Sequence, residues 1–241
     1  RYRDGQKIRH GNDFLDLFQD KPLQINPGLY AMEGNKRQLP TAEQVADQWA
    51  EACRKVRAAL PEAQLIPDSA VQGLVGLLGE MRENMVRKVQ FLCQVAPMLQ
   101  SPVSRRRRPL VWRQVLEVAQ CCGLPRRTLV VLAALSIVCV NNGAGPAKRL
   151  IKPSAKYSAE DAHNALADLR ALELLCHFYA LFPQENIMLC TGDKNLALFW
   201  AGMRASDFAY GSNGAMSYKL SPLDALLPHV TPDLWEAYTQ G

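Results

Sequence analysis

The pattern of apolar and polar residues is most informative near the end of the chain, where a strand is predicted to run into a helix. Residues 187–191 form a short apolar run after turn residues, which predicts a buried strand. Leu196, Phe199 and Trp200 then recur at helical spacing and predict a helix. The turn between the two elements contains Asp193. Ligands of open α/β sheets bind where strands end, so this carboxylate is a candidate site residue.

The sequence leaves two interpretations of Asp193 open. Its carboxylate could hold a divalent cation, because Mg²⁺ prefers hard oxygen ligands and is often bound by one or two carboxylates together with substrate phosphates. It could equally be only the N-cap of the following helix, a position at which Asp is strongly preferred.

Short strands and capped helices are also predicted in the first 80 residues. Residues 23–32 read as a strand that breaks at Pro27 into a short helix or turn, and residues 65–67 as a second short strand. Two pairs have capping-box spacing, so a helix should follow each of them. These pairs are Thr41 with Gln44 and Ser69 with Gln72.

Residues 81–140 are helical in pattern and are broken by an arginine-rich stretch and by a Gly-Leu-Pro turn. Pro102 and Pro109 favour a loop around the arginines. The helices on either side of the Gly-Leu-Pro turn resemble a helix-turn-helix, but residues 128–140 are almost wholly apolar, whereas a recognition helix needs an exposed polar face. We therefore interpret residues 128–140 as a buried core helix.

Basic residues are concentrated in residues 101–156, which contain eleven Lys and Arg and one acid, Glu117. The local net charge is +10, against +5 for the whole chain. Such an excess suits a polyanion, because each neutralised phosphate releases condensed counterions. The alternative is a solvated loop with ordinary surface arginines. The candidate nucleic-acid contacts are Arg105, Arg106, Arg107, Arg108, Arg126 and Arg127, with Lys194 beside Asp193.

Composition excludes several classes of site. Seven cysteines without metal-ligand spacing are typical of buried thiols in a reducing compartment, which favours a cytoplasmic protein. The four histidines stand alone, and neither a nucleophile motif nor a phosphate-binding glycine loop is present. No apolar run reaches the ~20 residues needed to span a bilayer, so we expect no membrane partner. Because the chain begins at Arg1 rather than Met, further residues could precede it.

A second group of polar residues is predicted on one helical face in residues 158–175. Asp161, Asn164 and Asp168 have i, i+3, i+7 spacing. Ser158 and Asp161 form a capping box, which explains the first acid. Asp168 lies in the middle of the helix, where an acid gains nothing from the helix dipole, so it is the stronger candidate for a functional role.

Taken in order, four of these features resemble the PIN-like nuclease domain. They are the strand ending in Ile25-Asn26, the segment 65–72 that opens a helix, the helix with Asp168, and the turn Thr191-Gly192-Asp193. The resemblance implies an α/β fold, a PIN-like α/β/α sandwich with a short parallel sheet and a large helical insertion. The implied divisions are an N-terminal extension at 1–21, two halves of the domain at 22–79 and 158–241, and the insertion with its basic residues at 80–157.

The resemblance also implies a metal site for Mg²⁺ or Mn²⁺. Asp168 matches the family's acid on the helix before the last strand, and Asp193 matches its final acid. The family's first acid falls on Asn26, and its second, a helix Glu, falls near residues 72–73. Glu33 and Asp68 lie close by in sequence as substitutes.

The function implied is a metal-dependent nuclease that hydrolyses phosphodiester bonds, in RNA more often than in DNA. One alternative is a catalytically silent PIN-like module that binds nucleic acid or a protein partner. Another is a helical regulator in which the Asp193 motif is coincidental.

Overall fold

The computed structural model describes residues 23–33, 39–140, 145–212, 214 and 216–240. This part of the chain is a mixed α/β structure in which helices predominate. Its helices are α1 (Gly28–Glu33), α2 (Ala42–Ala59), α3 (Ala70–Leu99), α4 (Arg108–Cys121), α5 (Leu129–Cys139), α6 (Pro146–Ile151), α7 (Ala159–Leu181), α8 (Lys194–Met203) and α9 (Pro232–Thr239). Its strands are β1 (Gln24–Ile25), β2 (Gln64–Leu65), β3 (Ser206–Tyr210) and β4 (Met216–Lys219). None of the helices described here is both long and apolar enough to cross a membrane.

The chain divides into two compact units, residues 1–82 and 83–241. In the first unit, β1 and β2 pair in parallel, with Gln24 opposite Gln64. Both short strands predicted from the sequence are present, the second at residues 64–65 rather than 65–67. The capping box of Thr41 and Gln44 is also present at the start of α2, whose apolar face is buried at Val45, Trp49, Ala52 and Cys53.

The second unit is organised around α5. All eleven of its residues are buried, which confirms the interpretation of this segment as a core helix. It packs against α4, α6 and α7. Because no side of α5 faces water, each neighbouring helix must present an apolar face to it.

An antiparallel hairpin of β3 and β4 packs against α7 in the same unit. Rings from three elements stack at this junction, with centroid separations of 5.0 Å between Tyr179 and Phe208 and 6.1 Å between Tyr179 and Trp200. Tyr218 extends the group from β4, 6.1 Å from Phe208. Aromatic packing therefore joins the hairpin to α7 and α8.

The predicted strand at residues 187–191 is wrong. Among the described residues this segment belongs to no sheet; Tyr179 instead donates a hydrogen bond from its hydroxyl to the Ile187 carbonyl at 2.8 Å. Met188 is 69% exposed, so the apolar run does not mark a buried element. The sheets of the described residues are one parallel and one antiparallel pair, and neither has the extent of a PIN-like sandwich.

The predicted arginine loop is also wrong. Arg105–Arg107 form one turn of 3-10 helix and Arg108 begins α4. Pro109 lies in the first turn of α4, where its missing N–H is not needed, so this proline starts a helix rather than marking a loop.

A buried ion pair links α3 and α7 within the second unit. The Lys88 ammonium donates to both carboxylate oxygens of Glu173 at 2.6 Å, and the two side chains are only 6% and 13% exposed. Replacing Lys88→Met leaves the Glu173 carboxylate without its partner, so we expect a loss of about 3–5 kcal/mol in unfolding free energy.

The double variant Lys88→Met/Glu173→Leu is the matched control for this prediction. It removes both charges, and chemical denaturation should show most of the lost stability restored. Equal destabilisation of the single and double variants would mean that the loss of stability does not come from leaving the Glu173 carboxylate unpaired.

Candidate functional site

Asp193 is the N-cap of α8 and is exposed. Its Oδ1 accepts hydrogen bonds from the backbone N–H groups of Asn195 at 2.6 Å and Leu196 at 3.2 Å. Its own N–H donates to Thr191 Oγ1 at 3.1 Å, which fixes the turn before the helix. The capping interpretation is thus confirmed. Both capping bonds reach Oδ1, so the capping role of Asp193 does not prevent Oδ2 from binding a ligand.

Asp168 lies on α7 in the same unit as Asp193. It is half-buried next to the buried Leu169, and it already has an interaction partner in the fold. No group of three His, Cys, Asp or Glu side chains that could hold a metal ion is found among the residues that the structure describes. The described part of the chain therefore supplies individual carboxylates rather than an assembled cluster.

In the first unit, Asn26 and Asp68 both follow strands of the parallel pair, so they lie towards its carboxyl edge. One oxygen of each side chain has a structural partner: Asn26 Oδ1 accepts from the Gly28 N–H at 2.9 Å, and Asp68 Oδ1 accepts from Trp49 Nε1 at 3.1 Å. Glu33 is the last residue of α1, and its side chain lies outside the described residues.

The arginines of the basic stretch contact the C-terminal segment, residues 220–240. Just before α9, Arg105 Nη2 lies 3.4 Å from His229 Nε2, and the buried Arg108 donates from Nη1 to the Pro228 carbonyl at 3.3 Å. These two guanidinium groups therefore hold the chain just before α9.

At the C-terminal end of α9, two further arginines contact the last carbonyls of the helix. Arg126 Nη1 donates to the Ala237 carbonyl and Arg127 Nε to the Thr239 carbonyl, both at 2.9 Å. Cations at a helix C-terminus satisfy carbonyls that have no partner within the helix and interact favourably with its dipole. Arg106, Arg107 and Lys194 are exposed.

Sequence reasoning missed the C-terminal segment as the partner of these arginines. A signal was available, because residues 220–240 contain three acids and neither Lys nor Arg. Opposite charge on two separate stretches can indicate contact between them.

The thiols are only partly as predicted. Cys53, Cys139 and Cys176 are buried, whereas Cys121 and Cys190 are exposed. Burial raises the pKa of Cys139 to about 11 and that of Cys176 to about 12, so both remain protonated at neutral pH. A protonated thiol is neither a nucleophile nor a metal ligand, and these two cysteines are packing residues.

No known protein family, curated protein or solved structure significantly matches this chain.

The capping geometry generates a prediction about Asp193. Asn is as good an N-cap as Asp, so Asp193→Asn should leave the melting temperature nearly unchanged, whereas Asp193→Ala should cost about 1 kcal/mol of stability. Thermal melts of the two variants in metal-free buffer check this. If the Asn variant lost as much stability as the Ala variant, the negative charge rather than the cap would be the stabilising feature.

Proposed function

We propose that the chain is a PIN-like domain acting as a metal-dependent nuclease, which hydrolyses phosphodiester bonds in RNA in preference to DNA, with Mg²⁺ or Mn²⁺ as cofactor. The observation that supports this most directly is the placement of Asp193. Its carboxylate is exposed but held rigidly by two backbone N–H groups. Asp193 lies in the turn that resembles the family's, at the position of the family's final acid. A ligand held in this way loses little conformational freedom on binding a cation.

The donor chemistry of the candidate residues fits a hard cation. Asp193 and Asp168 offer carboxylate oxygens, which Mg²⁺ and Mn²⁺ prefer. A cation bound there would polarise a phosphoryl oxygen and lower the pKa of a coordinated water. Lys194 follows Asp193 and is exposed, so its ammonium group can contact a substrate phosphate as a point charge. The N-terminus of α8 favours negative charge at the same place.

The second candidate function is the catalytically silent module, which binds nucleic acid or a protein partner. The observation that favours it is the chemistry at Asn26. This residue stands where the family's first acid is expected, it carries no charge, and its amide oxygen already accepts the Gly28 N–H. In both proposals the seven cysteines without disulfides support a reducing, cytoplasmic compartment.

We expect the wild-type chain to cleave a labelled single-stranded RNA in Mn²⁺ or Mg²⁺ and not in EDTA. Asp193→Asn should reduce cleavage by at least about 100-fold, because it removes a charged ligand while keeping the cap. The matched control is Asp161→Asn, an exposed acid in the capping box of α7, which should cleave like wild type. Gel assays on RNA and on DNA of the same sequence test the reaction and the substrate preference together.

The same variants test the metal independently of cleavage. A cation that binds the native site and not the unfolded chain raises the melting temperature by mass action. Mn²⁺ should do so for wild type and Asp161→Asn but not for Asp193→Asn. RNA binding without cleavage in either metal would favour the silent module, and an unchanged Mn²⁺ response in Asp193→Asn would place the cation elsewhere.

A further inference from the structure

The C-terminal segment occupies the donors that a polyanion would use. Of the six arginines predicted to contact nucleic acid, four point at least one nitrogen towards residues 228–239. One pair of contacts lies just before α9, at residues 228 and 229, and the other lies near its C-terminal end, at residues 237 and 239. A phosphate backbone could not make the same bonds to these nitrogens while the segment stayed in place.

The contacts that hold the segment are weaker than those that would replace them. Arg108, Arg126 and Arg127 donate to neutral backbone carbonyls. Hydrogen bonds from a guanidinium to a charged phosphate are shorter, stronger and frequently bidentate. Binding a polyanion would also release counterions, an advantage that the neutral carbonyls do not provide.

The C-terminal segment has the same sign of charge as a phosphate backbone. Asp224, Asp233 and Glu236 are exposed, and residues 220–240 contain no Lys or Arg. Residues 101–156, by contrast, have a net charge of +10. The segment is therefore opposite in charge to the basic residues, and a more highly charged polyanion would compete with it for them.

The docked position of α9 is itself imperfect. Tyr238 is buried, and its hydroxyl has no hydrogen-bond partner among the described residues. A buried hydroxyl without a partner disfavours the state that buries it. By contrast, the start of the segment is well anchored, because Leu226 and Leu227 are buried and Ser136 Oγ donates to the Leu226 carbonyl at 2.8 Å. Release would thus concern residues 228–240 rather than the whole segment.

We propose that residues 228–240 are a reversible cover on the basic surface formed by Arg105, Arg108, Arg126 and Arg127, and that single-stranded RNA displaces them. This inference rests on the proposed action on nucleic acid and adds its regulation. The closed form lowers the affinity for short or weakly charged ligands. The open form exposes the guanidinium groups to phosphate.

Hydrogen exchange of the full chain, followed by mass spectrometry, tests the displacement. Saturating single-stranded RNA should accelerate exchange of the α9 amides and leave those of the buried α5 unchanged. Binding with no acceleration in α9 would overturn the cover while leaving the proposed function intact. Inorganic polyphosphate is the second probe: acceleration by polyphosphate without RNA binding would show a cover on the basic surface but overturn RNA as the ligand that displaces it, and would contradict the nucleic-acid function. If neither probe binds, both proposals fail.

Variants of the segment give opposite shifts in affinity. Asp233→Asn/Glu236→Gln removes the two acids of the cover, so RNA should bind about threefold tighter at low salt, the magnitude expected for one exposed charge pair. Tyr238→Phe removes the buried hydroxyl and favours docking, so RNA should bind more weakly.

The matched control for these variants is Glu185→Gln/Asp207→Asn, which removes the same charge from residues outside the segment. If it tightened binding as much as Asp233→Asn/Glu236→Gln, the effect would be one of net charge and not of the cover. Equal RNA affinity in Tyr238→Phe and wild type would also count against the cover.

Discussion

The complete burial of α5 is the constraint on which the second unit depends. A helix that is apolar all round cannot face water on any side, so α4, α6 and α7 must surround it. Its one polar side chain, Ser136, is also buried and bonds to the Leu226 carbonyl. That bond ties the C-terminal segment to the core and so positions it beside the arginines of α4 and of the turn before α5.

The basic residues illustrate how far charge alone can be interpreted. A net charge of +10 over residues 101–156 is a property of composition, and it holds whatever these side chains contact. In the structure, Arg126 and Arg127 satisfy the last carbonyls of α9, a role that any helix C-terminus can offer to a cation. Structural and ligand-binding roles compete for the same donors, and geometry decides which of them is in use.

Patterns within a short stretch of sequence correctly predicted features that depend only on neighbouring residues. The capping boxes at Thr41 and Ser158 and the burial of α5 follow from neighbouring residues or from helical period, and each is present. The strand at 187–191 failed because strand formation needs a partner that the segment itself does not specify.

The candidate site could be predicted only one residue at a time. The sequence identified Asp193 as the residue between turn and helix, and its cap geometry follows from that position. Which other groups gather around a carboxylate depends on contacts between distant segments. For the same reason the C-terminal segment, whose contacts span more than a hundred residues of sequence, was not identified as the partner of the arginines.

At the Asn26 turn, the hydrogen bond that the fold requires does not depend on the charge of the side chain. Its Oδ1 accepts the Gly28 N–H, and a Cβ added at Gly28 would lie 2.8 Å from that oxygen and from Leu74 Cδ1, so the backbone here tolerates little change at Gly28. An aspartate at position 26 could accept the same bond, because Asp and Asn make the same turn. The fold therefore does not require the neutral amide. One negative charge could therefore be added or removed at this strand end without rebuilding the turn, and whether the position is charged is not determined by the requirements of folding.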